Sequence, residues 1–144
     1  MDLTQLSFNT PIKLINQALE KCLVGNLGIR ITHVQEGVVE GQMLLSEKNS
    51  RPDGLLHGGA NLALAETLAG LGSMLLTDLT EFDVLGTQVS GNHTGVLTTG
   101  EAYAVANIIH RGNKTHIWNV DVKRSNGRLI STVRVTNMIV KRNE

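Results

Sequence analysis

The sequence predicts an α+β domain in which a mostly antiparallel sheet wraps one long central helix. Three observations predict it. The run Gly58–Leu76, GGANLALAETLAGLGSMLL, is nearly apolar, and Glu66 is its single charge. Stretches of alternating apolar and polar residues precede it and occupy almost everything after it. Turn signals separate those stretches: Glu36-Gly37, Arg111-Gly112-Asn113 and Ser125-Asn126-Gly127, with Asn-Gly a strong type I′ hairpin signal. A helix too apolar for solvent needs a sheet to lie against, and a sheet wrapped round it is the economical solution.

Taken in order, Thr10-Pro11 opens a short amphipathic helix. Proline suits a first helical position, and Ile12, Ile15, Leu19 and Leu23 recur at helical spacing until Gly25-Asn26 ends the helix. Ile29–Val34 and Val38–Leu44 alternate as strands across the Glu36-Gly37 turn. Ser46–Asp53 is a polar loop. In the long helix Leu62, Ala65, Leu68, Ala69, Leu71 and Leu75 fall on more than one face, so it reads as buried nearly all round, ending near Thr77-Asp78. Strands follow at Val84–Asn92, Gly100–His110, Lys114–Arg124 and Arg128–Val140. In the third, Ile117, Asn119, Asp121 and Lys123 alternate with Trp118, Val120 and Val122. No repeat, low-complexity tract or linker divides residues 1–144, which read as one domain. The sheet leaves edges, and edge strands invite a second subunit, so a homo-oligomer is expected.

Composition narrows the function. Thirteen basic and thirteen acidic residues cancel, so no bulk attraction to nucleic acid or anionic membrane is expected. Aromatic content of 3% weakens any base-stacking role. Glu66, Asn61 and four glycines argue against Gly58–Leu76 as a membrane span. The single Cys22 excludes an intrachain disulfide and fits a reducing compartment, and the N-terminus does not resemble a secretory signal, so a cytoplasmic protein is expected. Five histidines show no metal spacing and there is no glycine-rich phosphate loop, so neither metal nor cofactor is expected.

The chemistry-bearing residues lie close together in sequence. A carboxylate inside a buried helix costs several kcal/mol unless paired or hydrogen-bonded, which makes Glu66 a candidate catalytic group. His57, Gly58 and Gly59 stand at the mouth of the same helix, where unpaired N–H groups face a polarised oxygen. Singly, each has a bland reading: a structural ion pair, a turn histidine, a tight turn. Together an oxyanion donor, a histidine and an acid suggest acyl chemistry. His57 and Glu66 are nine positions apart, about 13 Å of helical rise. If both act on one carbonyl they come from different chains, and two antiparallel helices across a dimer axis give two equivalent composite sites.

Gly54-Leu55-Leu56-His57-Gly58-Gly59-Ala60 followed by Leu64-Ala65-Glu66-Thr67 resembles the signature of hotdog-fold acyl-CoA thioesterases. The subgroup it resembles includes phenylacetyl-CoA and 1,4-dihydroxy-2-naphthoyl-CoA thioesterases. The resemblance extends through Gly86 to Asn92-His93 and through His110-Arg111-Gly112-Asn113-Lys114-Thr115-His116-Ile117-Trp118, covering roughly residues 25 to 140. It implies an α+β hotdog fold and hydrolysis of an acyl-CoA thioester, the acyl group aromatic in the named subgroup. It implies that Glu66 is nucleophile or general base, that His57 and the Gly58 N–H hold the thioester oxygen, and that Thr67 supplies a hydroxyl near the acid. Oxyanion donors of this kind are worth roughly 3–4 kcal/mol each in other enzymes. The site would lie between subunits of a homodimer, itself assembled into a homotetramer.

The resemblance also places coenzyme A, as part of the substrate, along His93-Thr94-Gly95-Val96, with Gly86 before them, and along His110, Arg111, Gly112, Asn113, Lys114 and Thr115. Lys114 would meet phosphate as a point charge and Arg111 as a fork, and His93 would hydrogen-bond pantetheine or phosphate. Two departures stand out. Arg51 replaces a glutamine frequent in the family, and Gly95 lies where many relatives carry an arginine. Arg51 is expected to point outward, because its loop is polar throughout. Two alternatives remain open from sequence: a hotdog acyl-thioester hydratase or dehydratase, and a non-catalytic acyl-CoA-binding module.

Overall fold

A computed structural model describes residues 1–142. A short 3₁₀ turn, Leu3–Gln5, precedes helices α1 (Ile12–Leu19) and α2 (Leu23–Asn26). Strands β1 (Ile29–Gln35) and β2 (Val38–Leu44) form a hairpin, and the central helix α3 spans Gly58–Leu75. Strands β3 (Phe82–His93), β4 (Glu101–Arg111), β5 (Thr115–Lys123) and β6 (Leu129–Lys141) follow. All six pair antiparallel in one sheet, ordered β1-β2-β4-β5-β6-β3. The positive φ of Gly37 (77°) and Gly127 (83°) closes the β1–β2 and β5–β6 turns, a conformation that favours glycine.

One face of the sheet packs on α3. Val39 and Met43 of β2, Ala102, Ala104 and Ala106 of β4, Trp118, Val120 and Val122 of β5, and Val133 and Val135 of β6 are all buried against it. Small residues let the helix come close. A Cβ on Gly41 would lie 2.7 Å from Leu68 Cδ2, and a Cβ on Gly72 would run into the Trp118 ring. Trp118 is fully buried, and its indole N–H donates to Ser73 Oγ at 2.9 Å. Asn137 Nδ2 donates to the same oxygen (3.0 Å) and to Ala69 O (3.1 Å), so a buried polar network fixes α3 against β5 and β6.

The first helix departs from expectation. The chain breaks at Glu20–Cys22 instead of continuing helical to Gly25. The break folds Gly25 onto the Glu20 carbonyl so closely that any side chain there would collide with it. Helix α1 then covers one sheet edge. Asn16 donates to Ile31 O and accepts from Ile31 N–H, each at 2.8 Å, so its amide occupies the free edge of β1. The other edge, β3, has no such cover among the described residues and is largely exposed along its length.

A second correction concerns α3. It is buried on all but one face. Gly58, Gly59, Leu62, Ala63, Glu66, Thr67, Gly70 and Met74 form a single stripe of exposed or half-buried residues. Glu66 is therefore exposed in the protomer rather than enclosed. Apolar periodicity reports which side chains avoid water, and part of that surface is left for something other than this chain's own sheet.

His116 introduces a buried titratable group. It is 4% exposed, its Nδ1 has no hydrogen-bond partner, and desolvation, with the charges of Arg111 and His110, holds its pKa below the ordinary 6.5. Above pH 6.5 both folded and unfolded chains carry it neutral. As pH falls through 6.5 the unfolded chain takes up the proton first, so stability falls on the acid side. Urea midpoints measured from pH 8 to 5 are expected to drop less in His116→Gln than in the wild type. Parallel declines would exclude this origin.

Candidate active site

The N-terminus of α3 gathers hydrogen-bond donors at one corner. His57 is the N-cap residue, and its Nδ1 accepts the Gly59 N–H at 2.8 Å. In the neutral ring that places the proton on Nε2 and turns a donor outward. The Gly58 N–H is one of the orphan donors of a helix start, and no acceptor meets it among the described residues. His57 is held from behind by Asn49, a residue sequence reasoning left inside a polar loop. Asn49 is buried; its Nδ2 donates to Leu27 O (2.9 Å) and Leu44 O (2.8 Å), and its own carbonyl accepts the His57 N–H (2.9 Å).

His93 joins this corner. Its Nδ1 lies 2.7 Å from Ser131 Oγ, and its Nε2 is 2.7 Å from where a Gly58 Cβ would stand. The family resemblance puts His93 in the coenzyme groove; the structure sets it against the helix start. Thr94, Gly95 and Val96 continue from it. The N–H groups of Thr94 and Gly95 donate to Ile130 O, and Leu97 O accepts the Leu56 N–H (3.0 Å), which ties this segment to the loop before His57.

Glu66 lies further along the same helix. The row Gly58, Leu62, Glu66 runs over His93, Gly91 and Gly86 of β3, and a Cβ on Gly86 would stand 2.9 Å from Glu66 Oε1. Gly86 thus borders the carboxylate; it sits where β3 bulges against β6, between the Gly86 and Gln88 pairings. Thr67 spends its hydroxyl proton on Ala63 O (2.7 Å), so toward a ligand it offers only lone pairs. Glu66, Thr67 and Gly70 open onto a cavity of about 420 Å³ whose opposite wall is Leu3, Leu6, Ile15 and Leu19. Because the carboxylate end can swing, Gly86→Ala is expected to leave the melting temperature within a few degrees of wild type while displacing Glu66. Thioester turnover should fall at least tenfold, about 1.4 kcal/mol of barrier. Unchanged turnover would mean that Glu66 needs no fixed place.

The remaining coenzyme candidates lie elsewhere. On the β4–β5 hairpin Arg111 pairs with His116 and His116 with Asn137, whereas His93 pairs with Ser131. Six residues of β6 separate those rows, about 20 Å along a strand. His110, Arg111, Gly112, Asn113, Lys114 and Thr115 therefore lie far from His57 and His93 in one chain. Arg111, Gly112 and Asn113 instead line a hollow of about 360 Å³ with Thr77, Asp78 and His116 beyond the end of α3. Arg111 is engaged by Glu36 at 2.7 Å, an exposed pair. Arg51 points outward as expected, 2.5 Å from Asp53, both half-exposed.

Comparison with known proteins identifies the family. The thioesterase superfamily model matches residues 53–131, which include the His57 corner, Glu66 and Gly86. The chain belongs to the thioesterase superfamily. This thioesterase has the hotdog fold and is a thioester hydrolase. It is 30% identical to the 1,4-dihydroxy-2-naphthoyl-CoA hydrolase of Escherichia coli over 90% of this chain and 94% of that one. The solved glutamine-to-alanine variant of thioesterase PA1618 from Pseudomonas aeruginosa superposes with a TM-score of 0.89, at 31% identity over 95% of this chain and 99% of that one. A Staphylococcus aureus protein, SAV0944, solved as a glutamate-to-alanine variant, gives a TM-score of 0.82 at 38% identity over 84% of this chain and all of that one. A glutamine-to-alanine variant of SAV0944 is also solved; the two replaced positions stand as far apart in that chain as Arg51 and Glu66 do in this thioesterase. Among the described residues no helix is long and apolar enough to cross a membrane.

Proposed function

We propose that this thioesterase hydrolyses acyl-CoA at a site shared by two protomers. His57 Nε2–H and the Gly58 N–H of one protomer hold the thioester oxygen, and Glu66 of the other acts as nucleophile or general base. The observation that carries this reading is that His57 and Gly58 at the helix start, and Glu66 about two turns on, lie along the one face of α3 that is exposed or half-buried. Nine residues, about 13 Å of rise, keep His57 from Glu66 within a protomer. The uncovered β3 edge offers a surface for pairing with a second copy.

Two donors fixed before the substrate arrives would stabilise charge developing on the carbonyl oxygen, which is where such donors act most strongly. A carboxylate on the opposite side would attack the carbon directly or take a proton from water. The spacing shared with the two replaced positions in SAV0944 supports Glu66 as that group. By the same spacing Arg51, paired with Asp53, would correspond to the relative's glutamine. Coenzyme A would run past His93, Thr94, Gly95 and Val96. Lys114 and Arg111 would reach its phosphates only from another chain's hairpin, in a homodimer or a homotetramer built from it. Release of free thiol from a panel of acyl-CoAs tests the activity. Hydrolysis by the wild type, lost in Glu66→Gln, is the expected outcome; no thiol from any member would contradict it.

A further inference from the structure

Gly70 occupies the interior of α3, where glycine destabilises a helix relative to alanine. Its backbone is helical, so no left-handed torsion requires it. Packing does not require it either: a Cβ there meets nothing within 4 Å, whereas one on Gly72, two residues on, would strike Trp118. What Gly70 preserves is space, and that space is the cavity beside Glu66. The cavity follows α3 from Glu66 to Met74, about 12 Å at 1.5 Å per residue, the length of a medium-length alkyl chain. Apart from Glu66 and the committed Thr67 hydroxyl, its side chains are aliphatic or methionine. Among the described residues no aromatic ring lines it, and no side chain there has a free donor.

We propose that this cavity holds the acyl chain of the thioester, that the substrates are acyl-CoAs with an unsubstituted, medium-length aliphatic chain, and that Gly70 sets the length accepted. The proposal rests on the hydrolytic reading above and replaces its aromatic acyl group with a flexible hydrocarbon one. A polar aromatic acyl group would find acceptors only at the Glu66 end of the cavity; farther along, a hydroxyl would be buried against aliphatic side chains, which is costly.

Wild-type kcat/KM is expected to be at least tenfold higher for decanoyl-CoA than for acetyl-CoA or 4-hydroxybenzoyl-CoA. Gly70→Leu fills the cavity from the helix side; it should lower kcat/KM at least tenfold more for decanoyl-CoA than for acetyl-CoA, and not lower the melting temperature. Gly70→Ala should give a smaller loss in the same direction. A preference for the hydroxylated aromatic thioester, or equal losses on long and short substrates, would overturn the proposal. Calorimetric titration of Glu66→Gln separates the cavity from the chemistry. Decanoyl-CoA should bind at least tenfold more tightly than CoA, and Gly70→Leu in that background should abolish the advantage. No advantage for decanoyl-CoA overturns the cavity assignment. Full hydrolysis by Glu66→Gln overturns the catalytic assignment instead, and the titration still decides the cavity.

Discussion

Glu66→Gln is expected to lower turnover of acyl-CoA by 10²- to 10⁴-fold, about 3–5 kcal/mol of barrier, with KM little changed. The amide keeps the size of the carboxylate and its place against Gly86. It cannot attack a thioester or accept a proton from water, so the loss falls on the transition state and not on the bound substrate. The side chain is exposed on α3 and makes no hydrogen bond within the protomer among the described residues, so the fold has little reason to respond. Steady-state kinetics with a free-thiol readout, paired with a thermal melt, checks both halves. A variant keeping more than about a tenth of wild-type turnover, a barrier change under ~1.4 kcal/mol, would remove Glu66 from the chemistry.

The largest effect on stability is expected from Ser73→Ala. Ser73 is fully buried, and its hydroxyl oxygen accepts from both the Trp118 indole and Asn137 Nδ2. Alanine fills nearly the same volume but leaves the indole N–H without a partner and Asn137 with Ala69 O alone. Stranding buried donors costs about 1–3 kcal/mol each, so a loss of roughly 2–3 kcal/mol is expected, about 6–10 °C for a chain of this size. Urea unfolding should shift the midpoint without changing the slope. A shift under about 0.5 kcal/mol, typical of surface positions, would show that the network does not hold α3 in place.

Much of the fold was legible because its strongest signals are periodic. The apolar density of α3 and the strict alternation of β5 placed those elements within a residue or two of where they lie. The order of strands was not legible, since the pairing of β3 with β6 joins segments far apart in the chain. The break between α1 and α2 depends on Gly25 meeting the Glu20 carbonyl, a contact no helical spacing encodes. The exposure of Glu66 escaped for a related reason: the α3 pattern is apolar all round, and only the sheet shows which stripe is left uncovered.

At the site, the motif from His57 to Thr67 carried the local chemistry, because a helix start and a residue nine positions on have a fixed separation. The parts that hold that chemistry in place did not announce themselves. Asn49 looked like one more loop residue until its amide was seen to bind Leu27 and Leu44 carbonyls. Gly91 is unremarkable in sequence, and Gly86 was expected only beside the coenzyme; their place under Leu62 and Glu66 appears only when α3 lies across them. Grouping Arg111 with His93 in one groove fails within a protomer because the sheet register sets them about 20 Å apart.

A site shared between chains is tested most directly by mixing Glu66→Ala protomers with His57→Ala protomers, each inactive alone. In a mixed dimer one site combines the intact His57 of one chain with the intact Glu66 of the other, and the second site has neither. With random reassociation half the dimers are mixed, so about a quarter of wild-type activity should return. Mixed dimers verified by native mass spectrometry, yet no more active than the separate variants, would contradict a shared site.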